Sequence, residues 1–413
     1  MIKSAVRSLF DDFQKSLFYW LTFVVTTLFM FVFFQIACSP MIGMKFIEGK
    51  NDLVAYLSVL VITVCLIAVF FANDFYVKKK AKDLAVRLVC GSSFIQLTIY
   101  LLSQTFILFL MALPVAGALS IFVLWFISFL TPVSIEFVSE GFLVTVIMLI
   151  FEIFWCTILN IGYAYRSSIV MLIQGDRMQK SHKSLLPFHL GVNMKKGIGL
   201  VLFIVPIIFM YIYGKEASSF LLFSIIGMIG LKQCFHKLFI PSMDDLIKKH
   251  IHHHHKITYL GFLRRDMIFM ENQIIFLIVG AILLLGLLII GLGNAMYQIL
   301  IYVSFVAMNC LLSLTIMFRF STEMIERQKL FLTLQRIGYE HNDLIKIIKK
   351  EVFILYSLIV GLALFYMVNI FISLYIHFHI SVDMILLMLS GLCGPLIICG
   401  TMNYFNYKKQ MNL

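Results

Sequence analysis

Ten long apolar runs constrain this chain more than any other feature: 17–38, 52–73, 95–128, 141–164, 197–214, 218–235, 272–292, 296–318, 350–377 and 383–404. A helix needs roughly 20 mostly apolar residues to cross the hydrocarbon core of a bilayer. Backbone polar groups there must be satisfied within their own segment, so such runs fold as helices. Composition agrees, with 61% hydrophobic and 13% charged residues, where soluble domains have roughly 45–50% and about 25%. The expected fold class is therefore an all-α integral membrane protein of about ten transmembrane helices. The fifth and sixth runs are short and joined only by "YGKE", which predicts a two-helix hairpin, with one re-entrant feature and eight spans as the alternative.

The net charge of +12 would point to nucleic acid in a soluble protein, but its placement has another cause. With the N-terminus inside, Lys45, Lys50 and Lys215 are the only outward cations among 33 Lys and Arg. Cationic loops stay on the cytoplasmic side, so N- and C-termini are both expected to be cytoplasmic and the span count even. Nucleic acid is excluded as a partner on this reading, whereas membrane lipids are expected ones. Eight cysteines lie scattered through spans and inner loops, with Cys38 near the outer face, so no disulfide framework is expected. "QIAC" before Ser39 resembles a lipoprotein cleavage site, yet 37 residues including Asp11 and Asp12 precede Cys38, so a retained first span is expected.

The segment 1–16 places Ile2, Val6, Leu9 and Phe13, followed by Leu17, on one helical face, which predicts an interfacial amphipathic helix. Residues 262–275 repeat the pattern before the seventh span, with Arg7 falling on Arg264 at an offset of 257. An offset of 247 sets Gly91 on Gly338, Lys82 on Lys329, Leu97 on Leu344 and Gln104 on Glu351. Two parallel four-span units are expected, 17–164 and 272–404, joined by 165–271 with its hairpin 197–235 and followed by a tail at 405–413. Such internal repeats are common in transporters. Outer loops are short and inner ones heavier, so partners are expected on the cytoplasmic side or within the membrane.

Two basic, amphipathic patches stand out in the inner loops, 77–93 and 323–343. In the first, Leu84, Val86, Leu88 and Val89 offer apolar docking surface, and Lys78, Lys79, Lys80, Lys82 and Arg87 ring it with charge that steers a partner or grips lipid headgroups. Gly91 allows a sharp return into the membrane. The second carries Lys329, Phe331, Leu332, Leu334, Arg336 and Ile337, then Gly338.

The stretches "NDFYVKKKAKDLAVRLVCGSSFIQL" and "TEMIERQKLFLTLQRIGYEHNDLIKIIKKE", with "YRSSIVMLIQGDR" at 165–177, resemble the FtsX-like permease family of ABC transporters. Ten spans with two such units are similar in particular to the bacitracin-resistance (BceB-like) permeases. The resemblance implies a non-catalytic membrane subunit with coupling regions at 77–93 and 323–343, holding two separate ATPase subunits that bind ATP and Mg. No Walker-type GxxxxGK[ST] occurs in the chain, so the hydrolysis is expected elsewhere, and no cofactor is expected here. The implied cargo is a hydrophobic or amphipathic molecule, foremost an antimicrobial peptide or bacteriocin removed for resistance or immunity. The alternatives are lipid or lipopeptide export, or regulation through a sensor kinase. The chain departs from the bacitracin-resistance pattern in having only "GLGNA" between spans seven and eight, where those permeases carry a large extracellular domain. An accessory extracellular protein is one way to supply it.

Within the membrane, Glu152 is the single deep carboxylate on this reading. Thr145, Glu152, Cys156 and Asn160 are spaced to share one helical face, as a substrate contact or gating stripe or as hydrogen-bonded packing. Ala112, Ala116 and Ser120 beside Pro114 and Gly117, and Gly391 and Gly394 beside Pro395, predict close helix packing. The run "KKHIHHHHK" at 248–256 has no partner at metal-ligand spacing and reads as a solvated loop after a short helix, and no metal site is expected. No catalytic constellation is visible; Glu136 and Glu140 stand one helical turn apart without partners.

Overall fold

A computed structural model describes residues 6–9, 13–40, 42, 52–130, 137–166, 192–250, 254–291 and 295–410. In those residues all regular structure is helical. In chain order the helices are α1 (Phe13–Ala37), α2 (Asp52–Lys79), α3 (Ala81–Val89), α4 (Phe94–Leu130), α5 (Ser139–Arg166), α6 (Val192–Tyr213), α7 (Ala217–Cys234), α8 (Ile240–Lys249), α9 (His254–Ile290), α10 (Ala295–Arg336), α11 (His341–Phe378) and α12 (Val382–Gln410). A π-helical turn, Phe235–Phe239, carries α7 into α8. Nine helical segments among the described residues are long and apolar enough to cross a bilayer, and Gly199–Tyr213 is apolar but shorter. The chain is a multi-pass membrane protein.

The chain divides into two compact units, residues 1–179 with 294–318, and 180–293 with 319–413. In the first, α1 packs against α2, α4 and α5. Aromatic rings fill its centre: Tyr19 stacks on Tyr76 at 4.7 Å and Phe23 meets Phe109 edge-on at 5.5 Å. At the far end, Gln35 of α1 donates to the Val138 carbonyl and accepts from the Val138 amide, at 3.2 and 2.9 Å. This exchange fixes where α5 begins. Gly141 lies so near that a Cβ there would stand 2.8 Å from the Phe34 carbonyl oxygen.

In the second unit, α6 and α7 form the hairpin expected from the short fifth and sixth runs, and α9 packs against α7, α8 and α11. α9 differs from the sequence expectation. Residues 262–275 are not a separate interfacial helix but the middle of a 37-residue one. Leu263, Met267, Met270, Ile274, Leu277, Ala281, Leu285 and Leu288 are all buried. That stripe keeps a helical spacing of three and four through the supposed boundary, so nothing ends the helix. Residues 323–336 likewise are not a free-standing amphipathic helix; they are the last turns of the 42-residue α10.

Candidate functional site

The two basic patches become two turns of related build. In the first unit, the helix breaks at Lys80, and the nine-residue α3 follows. Gly91 then turns the chain at φ +85° into α4, a left-handed conformation that L side chains rarely adopt. Leu84 is fully buried, so it presents no docking surface; Val86 and Val89 do, at 62% and 66% exposure. Leu88 is half-buried. The cations are also less free than the sequence indicated. Lys78 pairs with Asp74 at 3.2 Å, Lys80 is buried over the Tyr76 ring at 5.3 Å, and the Arg87 guanidinium lies over Tyr100 at 3.9 Å. The Lys82 side chain lies outside the described residues.

Behind Arg87 runs a polar chain into the bundle. Tyr100 donates to Ser8 at 2.8 Å and accepts from Gln104 at 3.0 Å. Tyr76 donates to Gln104 at 2.7 Å, and Tyr19, stacked on Tyr76, donates to Asn73 at 3.0 Å. The Arg87 cation thus ties α3 to a chain of hydroxyl and amide groups that reaches α1, α2 and α4.

In the second unit α10 ends at Arg336, and Gly338 turns at φ +106° ahead of α11. Phe331 is buried, stacked on Phe262 at 5.7 Å and edge-on to Tyr407 at 5.7 Å. The apolar surface here comes from Leu330, Leu332 and Ile337 instead, the last 70% exposed. Leu334 is half-buried and Arg336 exposed, while the Lys329 side chain lies outside the described residues. The tie into this unit is ionic. Arg327 bridges Asp266 of α9 and Glu351 of α11, all three fully buried, and Arg265 pairs with Glu323 at 3.1 Å. Arg264 pairs with Asp244 of α8.

Sequence reasoning named Glu152 as the one deep carboxylate and missed Asp266 and Glu351. A signal was present, because the 247 offset that sets Gln104 on Glu351 also sets Lys80 on Arg327. Burial keeps the same register along α4 and α11. Leu97 and Leu344, Leu108 and Leu355, Ala112 and Ile359, and Ala116 and Ala363 are buried pairwise. So are Leu84 and Phe331.

The stripe on α5 is inward-facing throughout: Thr145, Glu152, Cys156 and Asn160 are all buried. Thr26 of α1 donates to Glu152 at 2.8 Å, and Asn160 donates to Thr105 of α4 at 3.0 Å. Thr145 returns its proton to the Gly141 carbonyl of its own helix at 2.7 Å, standing apart from those ties. Ala112 and Ala116 are buried as packing residues, and Ser120 donates to the Gly117 carbonyl. Cys399 and Asn403 on α12 repeat the Cys156–Asn160 spacing 243 residues later, a signal the sequence reading passed over. Asn403 donates to Tyr356 and accepts from Ser321 at 3.1 Å. Of the histidine run, His250 caps α8 against the Leu246 carbonyl at 3.0 Å, and residues 251–253 lie outside the described residues, as do Glu136 and the loop at 167–191.

Residues 55–169, which hold α2, the first turn, α4 and α5, match the family described as FtsX-like permease C-terminal. No curated protein matches the chain.

Proposed function

We propose that this chain is the membrane subunit of an ABC transporter, and that its two turns, 77–93 and 323–343, each dock one separate ATPase subunit. ATP and Mg belong to those subunits on this reading. The family match across the first turn carries the proposal, since FtsX-like permeases work with ABC ATPase partners. The second turn enters through its likeness to the first, both ending on a left-handed glycine with exposed apolar residues beside it. The two four-helix stretches that bear the turns are, on this proposal, copies of one unit.

The mechanism is mechanical. Closure of an ATPase dimer moves both turns, α4 and α11 carry the movement along the membrane, and cargo is released outward. Its cargo is a hydrophobic or amphipathic molecule already in the bilayer, foremost an antimicrobial peptide or bacteriocin, with lipid or lipopeptide next.

Co-purification tests the docking. The full chain is expressed with its genomic neighbours, and two copies of an ABC ATPase are expected to co-elute with it. Val86→Glu and Ile337→Glu alter exposed positions and leave the cores untouched; each is expected to remove one copy, and both together to remove both. Retention of the ATPase in the double variant overturns the docking assignment. Absence of any ATPase from the unmutated chain overturns the transporter reading and favours a regulatory protein acting on a partner such as a sensor kinase.

A further inference from the structure

A crevice of about 290 Å³ lies within the first unit between α4 and α5, floored by Phe23 of α1. We propose that it seats one acyl chain of a bilayer amphiphile as a substrate subsite, a proposal that rests on the transporter reading above. Its surroundings are lipid-facing: Phe106 and Leu110 on α4, and Phe154 and Ile158 on α5, are 45–60% exposed. Ligand pockets usually occupy roughly 300–1,000 Å³. This one stands at the small end, with room for a chain and not for a folded peptide.

The lining chemistry selects the same occupant. It contains no charged side chain. Of its hydroxyls, Ser103 donates to the Ile99 carbonyl at 2.7 Å and Thr157 to the Ile153 carbonyl at 2.9 Å, each within its own helix. Thr105 takes the Asn160 amide. The crevice therefore offers methyl groups, rings and the Cys156 thiol, a surface for hydrocarbon. Glu152 does not line it; its partner is Thr26, on the far side of α5 from the lipid.

The second unit carries a tyrosine ring at the matching position. At the 247 offset Phe109 becomes Tyr356, and at the 243 offset Asn160 becomes Asn403 and Thr157 becomes Gly400. There the asparagine amide holds the Tyr356 hydroxyl, and the ring lies 3.0 Å from where a Cβ on Gly400 would stand. The ring thus packs against α12. In the first unit the corresponding asparagine donates to Thr105, and the Phe109 ring, which has no hydroxyl to be held, lines the crevice.

The test uses the full chain in membranes containing phosphatidylglycerol with a photoactivatable diazirine in its acyl chain, with adducts mapped by mass spectrometry. Adducts at Phe106, Ile153 and Thr157 are expected to exceed those at Ile121 and Phe122, farther along the lipid-facing side of α4, about fivefold. Ser103→Phe and Thr157→Phe fill the crevice from half-buried positions and are each expected to bring the ratio to about one, whereas Leu102→Ala enlarges it and raises the ratio. Even labelling of the unmutated chain, or a ratio that both filling variants leave unchanged, overturns the subsite. The readout needs no ATPase. Even labelling of a chain that co-elutes with its ATPase overturns the subsite and retains the permease; focused labelling of a chain that binds no ATPase retains a lipid site and overturns its role in transport.

Discussion

Arg327 of α10 is salt-bridged to Glu351 of α11, and neither side chain has exposed surface. Asp266 of α9 is the second partner of the same guanidinium. Three helices thus meet at one buried cation, three turns before the chain reverses at Gly338. On the docking proposed above, α10 would transmit force only if its last turns are fixed to the bundle, and this cluster ties them to α9 and α11.

Removing the cation is accordingly expected to cost more than removing one anion. Arg327→Met leaves two buried carboxylates facing each other, and breaking a buried pair costs about 3–5 kcal/mol. Asp266→Asn leaves one carboxylate per guanidinium and is expected to cost less. Thermal unfolding of the two variants in detergent checks the order; equal midpoints would show that the cation is worth no more than one of its anions, and midpoints equal to that of the unmutated chain that the cluster adds no stability.

In the first unit a hydrogen-bonded chain makes the connection, through Arg87, Tyr100, Gln104 and Tyr76. Tyr100→Phe keeps the ring under Arg87 and removes hydrogen bonds to Ser8 and Gln104. At about 1 kcal/mol per bond, a loss of about 2 kcal/mol is expected. Tyr100→Leu also removes the ring and is expected to lose further stability, and ATPase stimulation with it if α3 must be held rigid. A Leu variant no worse than the Phe variant would mean that the Arg87 stacking contributes nothing.

Gly91 and Gly338 sit at positive φ with open space where a Cβ would go. Substitution there is a matter of backbone conformation alone. Ala at either position is expected to cost about 1–2 kcal/mol, with Asn tolerated better because it visits the left-handed region more readily. Comparing Ala with Asn by thermal unfolding separates this cause from any steric one. An Asn variant as damaging as Ala would point to a steric or docking role for the glycine.

How far the fold and its site can be read from the sequence depends on what each feature rests on. The spans are legible because hydrocarbon demands long apolar runs, and the turns because a basic, glycine-ended stretch interrupts them. The continuity of α9 and α10 is not legible, since an amphipathic stripe has the same period whether or not the helix breaks beside it. Nor is the facing of Leu84 and Phe331. Leu84, Val86, Leu88 and Val89 cover more than one side of α3, and only the packed rings decide which turns inward. Asp266, Arg327 and Glu351 are far apart in the chain, and without the repeat offset nothing joins them. The Cys399–Asn403 pair is legible only at a second offset, 243, since 247 sets Cys156 on Asn403. The crevice beside Phe109 is not legible at any offset, because a cavity depends on side-chain packing that no spacing records.

Cys38 and Cys90 give a comparison of thiols at opposite ends of the first unit. Cys90 is exposed beside Gly91, whereas Cys38 is buried past the end of α1. Burial, helped by the nearby negative charge of Glu140, pushes the Cys38 thiol up to about 11. The sign follows from which form burial disfavours: the thiolate is the charged form, so the folded protein holds Cys38 neutral at pH 7–8. The thiolate is the nucleophile, so maleimide is expected to label Cys90 within minutes at pH 7.5 and Cys38 far more slowly, with the Cys38 rate rising about tenfold per pH unit until it levels near 11. Stability runs the other way. Above the ordinary thiol range, near 8.5, the unfolded chain ionises Cys38 while the folded chain does not, so this residue's contribution to stability is full below that range and falls as pH rises through it towards 11. Cys38→Ala is expected to flatten that part of the pH–stability curve. Labelling of Cys38 as fast as Cys90 at pH 7.5 would mean the thiol is neither buried nor raised, and the Gln35–Val138 clasp beside it would then not close the end of the bundle.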